Sequence, residues 1–385
     1  MFDSRYRHIL FVAAFLALIC SVGLIQIIID LRHGRTPQAT ELFVRLPTRA
    51  NLRAFETDLQ DNCWLAQKLR PHVQYAQFAA LRQLGDKAVV GKDGWLFYKP
   101  AVQYLIEPWA LDLVGDQDDV VSAVVSFRDQ LAERGVRLLV VPVPNKASIY
   151  PDKLTRQAKE KDGLVNSKTI EVIRRLRQAE VEVVDLFALF KQARGVSPGG
   201  EATKYYLVQD SHWSPEGVRL AAKAVARRLL DLGWTNRRSP RLRSGQALLV
   251  PRTLMRHGDL LKMIRVPQIE RKFEPEQIHC TQVYNAETNQ PCHDDPNSEI
   301  LVLGDSFLRI YRQDEPGAAG FVEHLAFELG FALAALVNDG GASTLVRQQL
   351  NRNPKLLANK KVIVWEFVER DIRFGIEGWQ RVPLP

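Results

Sequence analysis

Ser306 closes an apolar run, Ile300-Leu301-Val302-Leu303, that passes straight into Gly304-Asp305-Ser306. A serine hydroxyl is a weak nucleophile until a general base takes its proton and a third group orients that base. Both partners are on offer in Gln209-Asp210-Ser211-His212-Trp213-Ser214-Pro215. A carboxylate two residues from a histidine can hold one imidazole tautomer while the other ring nitrogen faces a hydroxyl. Taken singly, each block has a plainer reading. The first is a strand end followed by Asp/Ser helix capping, and the second a capping Asp beside an incidental His. Taken together they supply nucleophile, base and orienting acid in Ser306, His212 and Asp210. That is the equipment for acyl chemistry without a metal or organic cofactor. His257, His279 and His293 show no second ligand at the spacing a metal site needs.

Such a triad needs a scaffold that brings two distant blocks to one edge. Val136–Val143 and Ile300–Leu303 are short, continuous apolar runs, as expected of buried parallel strands. Val181–Leu186, Ala335–Asn338 and Lys361–Val368 read as further strands. Helical spacing fills Asp118–Arg134, Leu164–Glu180, Pro215–Leu232, Phe321–Leu333 and Leu345–Leu350, with Ser214 and Pro215 opening one helix. Alternating strands and helices predict a three-layer α/β/α domain around a parallel sheet. Ligands gather at the carboxyl ends of the strands in such sheets. Lys87–Tyr98 alternates around a Lys-Asp-Gly turn and predicts a hairpin, and Asn51–Gln83 reads as helix broken at Pro71.

The same logic nominates further residues for the crevice. Lys146 and Tyr150 follow the first long strand and could meet an acidic sugar or a developing charge. Asn338 and Gly340 follow another strand and could complete an oxyanion hole, with the Ser306 N–H as a first donor. Arg309 and Tyr311 lie just past the nucleophile. Trp95, Trp365, Glu366 and Arg370 read as structural.

Ile9–Ile29 carries no charged residue and is apolar on all faces. At about 1.5 Å per residue it can cross a hydrocarbon core of roughly 30 Å. Its end, Ile27-Ile28-Ile29-Asp30, is a poor cleavage site, so an uncleaved anchor is expected. Arg5 and Arg7 precede the span and Arg32 and Arg35 follow it, so positive charge does not set its orientation. The organisation expected is an anchor over 1–35, a linker and helical lead-in over 36–86, and the α/β domain over 87–385. Net charge is +8, which favours polyanions, yet no nucleic-acid motif is present. The densest basic run, Arg237, Arg238, Arg241 and Arg243, reads as a solvated loop. Cys280 and Cys292 flank a polar loop and could close a disulfide outside the cytoplasm, with Cys63 as a rival partner and free thiols throughout as the plainer reading.

Six blocks in order carry a resemblance: GKDGWLFY at 91–98, VPVPNKASIYPDKL at 141–154, DSHWSPEG at 210–217, HGDLLKMI at 257–264, LGDSF at 303–307 and VIVWEFVERDI at 362–372. The chain resembles the alginate O-acetyltransferase AlgJ/AlgX family, SGNH hydrolase-like acetyltransferases in which the Asp-His block precedes the Ser block. The resemblance implies a triad of Ser306, His212 and Asp210 that moves acetyl groups onto polysaccharide hydroxyls. It also implies an inner-membrane anchor, a periplasmic catalytic domain, an exported polysaccharide as acceptor, and a multi-pass membrane acyltransferase that delivers acetyl groups. AlgX carries a C-terminal carbohydrate-binding module. This sequence ends at Pro385 soon after the last strand, so the AlgJ type is expected. The family's usual Gly-Thr-Ser is Gly-Asp-Ser here, which keeps a carbohydrate esterase in view. A catalytically inactive polysaccharide-binding scaffold is the other alternative.

Overall fold

The structure is a computed structural model that describes residues 4–37, 44, 48–108, 119–158, 166–194, 203–235 and 247–384. Arg237, Arg238, Arg241, Arg243 and most of the expected linker lie outside the described residues, as do the helix starts expected at Asp118 and Leu164. The chain forms two compact units, residues 1–82 and 83–385.

The first unit is helical. Ser4–Arg32 is a single helix, and its segment His8–Arg32 is long and apolar enough to cross a membrane. Arg49–Asn62 and Trp64–Leu81 are two further helices. The break falls at Cys63, and the second helix runs on through Pro71, where the sequence had suggested an end.

The second unit is built on strands β1 (Gln83–Leu84), β2 (Ala88–Val90), β3 (Leu96–Tyr98), β4 (Arg137–Val143), β5 (Glu182–Val183), β6 (Ala247–Arg256), β7 (Glu276–Asn285), β8 (Gln290–Pro291), β9 (Ile300–Gly304), β10 (Ala334–Val337) and β11 (Val362–Val368). The central sheet has the order β10-β9-β11-β4-β5, and every pairing in it is parallel. Strand periodicity divides its side chains between two cores. Leu139, Val141, Val143, Val302 and Val364 pack on one face with helices Pro215–Asp231 and Phe321–Leu329. Leu138, Val140, Leu301, Leu303, Ile363, Trp365 and Phe367 pack on the other with Val120–Ala132, Ser167–Gln178 and Leu345–Asn351. Both faces are therefore covered, and all seven residues of β11 are buried. Each fully buried Val, Leu, Ile or Phe contributes roughly 1.5–3 kcal/mol. This is the three-layer α/β/α arrangement.

Several boundaries move for local reasons. Helix Phe321–Leu329 stops short of Leu333 because Gly330 takes a left-handed conformation at φ 82° and caps it, and β10 then begins at Ala334. Strand β5 keeps two ladder residues of the expected six, because Leu186 already starts a helix. The Lys87–Tyr98 hairpin is present as β2 and β3. The sequence reading missed the longest antiparallel pair, β6 with β7, which β8 extends. Cys280 and Cys292 are free thiols, as are Cys20 and Cys63. In the register of this sheet Cys292 bonds across to Val283, three positions from Cys280. Burial pushes both thiols up to about 12.

Candidate active site

At the carboxyl edge of the sheet, β9 ends at Gly304 and the chain turns into a one-turn helix, Ser306–Arg309. Asp305 caps that turn, its carboxylate accepting the Phe307 N–H at 2.8 Å. Its own N–H donates to Glu366 Oε2 on neighbouring β11, at 3.1 Å. A side chain at 304 could not fit: a Cβ there would lie 2.3 Å from Glu366 Oε2 and 2.5 Å from Leu308 Cδ1. The glycine thus lets the Ser306 turn lie close to β11 without displacing those side chains.

The second block is a tight loop pinned at its base. Tyr206 and Trp213 form an antiparallel bridge, and the Ser214 N–H donates to the Tyr205 carbonyl. Ser214 then caps helix Pro215–Asp231 by accepting the Gly217 N–H. Within the loop, Asp210 Oδ1 accepts both the His212 backbone N–H (3.1 Å) and His212 Nδ1–H (2.7 Å). This arrangement fixes Nδ1 as the protonated nitrogen and leaves Nε2 as an acceptor. His212 Nε2 lies 2.8 Å from Ser306 Oγ. Trp213 binds the two blocks together: its indole N–H donates to the Phe307 carbonyl at 3.1 Å, and its ring stacks on Phe321.

Asp210 is fully buried and needs more than His212 to remain ionised. Burial disfavours its charge, but the His212 hydrogen bond and charge, the Arg256 guanidinium and the Asp259 N–H outweigh this, holding the carboxyl well below the usual range. Arg256, at the end of β6, and the Asp259 N–H each reach Asp210 Oδ2 at 2.9 Å. Asp259 also accepts from the Ser211 N–H (2.7 Å) and hydroxyl (2.5 Å), and its carboxylate lies 3.5 Å from His212 Nδ1. Gly258 permits this docking, since a Cβ there would fall 2.1 Å from the Gln209 carbonyl oxygen. Burial and the neighbouring Asp210 charge push Asp259 up to about 6. For His212, burial disfavours the imidazolium, but Asp210 and Asp259 prevail and raise its pKa above the ordinary value. Asp210, His212 and Asp259 could in principle share a cation. Their facing atoms are already committed to each other, to Ser211 and to Arg256, so this donor set fits a proton relay better than a metal.

The other nominated residues have distinct fates. Lys146 is buried away from the cleft, its ammonium held by the carbonyls of Leu96 (2.5 Å), Val208 (2.7 Å) and Asp210 (3.0 Å) and set against the Trp95 ring. It braces the Asp210 loop from behind, and burial lowers its pKa to about 7. Tyr150 accepts the Tyr205 N–H and borders a separate cavity of about 1160 Å³ that contains no triad member. Tyr311 is fully buried and donates to the Trp213 carbonyl. Arg309 pairs with Asp339 and Asp314. Asn338 is spent on its own turn: Oδ1 accepts the Gly340 N–H and Nδ2 donates to Gln349. Gly340 does line the Ser306 cleft, about 280 Å³, together with Tyr98, Gly341, Phe374 and Arg370. The sequence reading took Arg370 as structural, yet the residue lines this cleft. That reading also passed over Arg256 and Asp259. A basic residue at a strand end gives no signal by itself, and Asp259 was visible only as part of the His-Gly-Asp block.

Comparison with known proteins gives consistent results. The family model described as SGNH hydrolase-like domain, acetyltransferase AlgX, matches residues 88–369. The probable alginate O-acetylase AlgJ of Pseudomonas fluorescens is 24% identical over 95% of this chain and 88% of its own length. The Pseudomonas aeruginosa protein of the same name is 33% identical over a shorter stretch, 38% of this chain and 36% of that protein. Among solved structures, the O-acetyltransferase domain of Pseudomonas putida AlgJ superposes with TM-score 0.55 at 22% identity, covering 74% of this chain and 91% of that one. Pseudomonas aeruginosa AlgX gives TM-score 0.52 at 22% identity, over 73% and 61%. At these identities the structural likeness is one of fold.

Proposed function

The chain belongs to the AlgX family of SGNH hydrolase-like acetyltransferases, and on that premise we propose that it O-acetylates an exported polysaccharide through a Ser306 acyl-enzyme. The observation that carries this reading is the continuous relay from Asp210 Oδ1 through His212 to Ser306 Oγ, at 2.7 and 2.8 Å. In the first half-reaction His212 Nε2 takes the Ser306 proton as Oγ adds to an acetyl carbonyl. The leaving group departs with that proton, and an acetyl ester remains on Ser306. In the second half His212 takes the proton of a sugar hydroxyl, which attacks the ester and frees Ser306. Asp210 holds the ring and stabilises the imidazolium in both halves.

The names of the relatives point to alginate or a similar polymer as acceptor. A body in the periplasm, tethered by an inner-membrane helix, fits the AlgJ type of the family. Acetyl-CoA is confined to the cytoplasm, so a multi-pass membrane acyltransferase is the expected source of acetyl groups. Deleting that partner should abolish polymer acetylation even while this protein is present, as read by acetate released from purified polymer.

The direct test compares Ser306→Ala, His212→Ala and Asp210→Ala with wild type on a chromogenic acetyl ester, then on an oligosaccharide acceptor followed by mass spectrometry. Each variant should fold. Ser306→Ala and His212→Ala should lose on the order of 10³-fold or more, and double variants should lose little further. Wild-type turnover by folded Ser306→Ala would end the covalent mechanism. Acetate as the only product at high acceptor concentration would instead assign an esterase, and binding of polymer with no Ser306-dependent turnover a scaffold.

A further inference from the structure

A serine acyl enzyme needs donors for the negative oxygen that forms when the hydroxyl adds to the carbonyl. The Ser306 N–H is one candidate, but the second amide nominated from the sequence is already engaged: the Gly340 N–H bonds Asn338 Oδ1, and the N–H of its neighbour Gly341 bonds the Asn338 carbonyl. Arg370 presents a different donor. It follows β11, whose neighbour Glu369 turns into the protein and accepts from the Asn145 N–H (2.9 Å), the Ser148 hydroxyl (2.6 Å) and the Thr169 hydroxyl (2.8 Å). The backbone is thereby fixed, and the Arg370 side chain lines the Ser306 cleft. Its guanidinium carbon sits 5.1 Å from the Tyr98 ring centroid and 5.8 Å from that of Phe307, the residue after the nucleophile. Phe307 in turn packs 4.8 Å from the His212 ring.

Two aromatic faces thus position the cation, yet its N–H groups are unspent. Among the described residues, none accepts a hydrogen bond from the Arg370 side chain or forms an ion pair with it. Asp305, Glu366 and Asp371 feel its charge without pairing with it. A guanidinium carries five donors in a planar fork suited to a negative oxygen. A preset cation of this kind, open to the cleft beside the nucleophile, matches a charge that exists only during the reaction.

We propose that Arg370 is a catalytic residue whose guanidinium binds the oxyanion formed on the acetyl carbonyl. As the Ser306 Oγ–C bond forms, the carbonyl π pair moves to oxygen beside Arg370 and the hydroxyl proton passes to His212. Collapse restores the C=O and breaks the bond to the leaving oxygen or sulfur of an ester or thioester donor, which takes that proton. Deacylation by the sugar hydroxyl forms the same oxyanion again. This assignment rests on Ser306 as the acyl nucleophile.

The alternative anion is a carboxylate on the acceptor sugar, and a neutral substrate separates the two. Full-length protein in detergent is assayed for hydrolysis of 4-nitrophenyl acetate, which carries no carboxylate, with Ser306→Ala as the blank. Arg370→Met should lower kcat by about 10²–10³ with little change in KM, Arg370→Lys should recover part of the loss, and added guanidinium chloride at subdenaturing concentration should partly restore the Met variant. A side chain with only a packing role would not show that rescue. Unchanged ester hydrolysis by Arg370→Met, with a raised KM for an acidic oligosaccharide acceptor, would overturn the assignment and make Arg370 an acceptor-binding residue. Normal turnover by Ser306→Ala would instead remove the nucleophile reading beneath it. Should the Met variant not fold, the Lys variant decides: a kcat loss at constant KM supports the role, and wild-type kcat ends it.

Discussion

His212 is surrounded by charges of opposing effect. Asp210 and Asp259 face its Nδ1 side and favour the imidazolium, whereas burial and Arg370 disfavour it. The two carboxylates prevail, so the folded pKa lies above the ordinary imidazole value of 6.5. A general base must be neutral to accept a proton, so turnover is lost as pH falls through that raised value. The acidic limb of kcat/KM should accordingly lie above pH 6.5 in the wild type. Asp210→Asn removes the main stabilising charge and sets an amide NH2 against donors on one of its two sides, His212 or Arg256 with the Asp259 N–H. It should move the limb down and lower the plateau on the order of 10³- to 10⁴-fold. Asp259→Asn keeps an oxygen for Ser211 but loses the charge 3.5 Å from the ring, and should move the limb in the same direction with a smaller loss of plateau. A pH–rate profile of ester hydrolysis reads both shifts. A limb that stays in place in Asp259→Asn would confine Asp259 to holding the loop.

At the scale of elements, the catalytic geometry depends on how closely β9 lies against β11. Gly304→Ala forces a methyl against the buried side chains of Glu366 and Leu308 at a fully buried strand end, so that these must shift. Overpacking of this kind costs about 1–3 kcal/mol, and because Ser306 is two residues away, esterase activity should fall further than stability does. Thermal unfolding and kcat measured on the same sample check the pair. The strands that carry this geometry were legible because burial on both faces makes them continuously apolar, as in β4, β9 and β11. The β6–β7 pair was not: β6 is mostly exposed, and its short apolar start, Ala247–Val250, meets Pro251 and then a stretch without clean alternation. Yet it is β6 that delivers Arg256 to Asp210, so a cation that joins His212 in keeping Asp210 charged came from an element the sequence reading missed. Removing it with Arg256→Met leaves a buried carboxylate short of a charged partner, at a cost of about 2 kcal/mol. The residues of the proposed triad, Ser306, His212 and Asp210, stood out by type and spacing. Lys146, Tyr311 and Asn338 have the same types as site residues but turn into packing, and only the fold distinguishes the two cases.

For the whole molecule, the decisive question is which side of a membrane the cleft faces. Helix Ser4–Arg32 exposes Ile9, Leu10, Phe11, Phe15, Leu16, Leu24 and Ile28 within its own unit, a surface that water would not tolerate as a free helix. Its 25-residue apolar segment spans about 37 Å at ~1.5 Å per residue, enough to cross a bilayer with some tilt. Arginines flank the uncharged run Ile9–Ile29 on both sides, at Arg5 and Arg7 and at Arg32 and Arg35, so charge leaves the orientation open. The chemistry is more informative: an enzyme that modifies an exported polymer must meet it outside, and one that draws acetyl groups from a membrane partner gains from being tethered beside it. The full chain should therefore fractionate with membranes and resist extraction by high salt, which would strip a protein held only by its net positive charge. A C-terminal alkaline phosphatase fusion should be active and a C-terminal β-galactosidase fusion inactive, because the first folds only outside the cytoplasm and the second only within it. The reverse pattern would place Ser306 on the cytoplasmic side, where acetyl-CoA is directly available. The need for a membrane acetyl carrier would then disappear, with the active-site geometry unchanged.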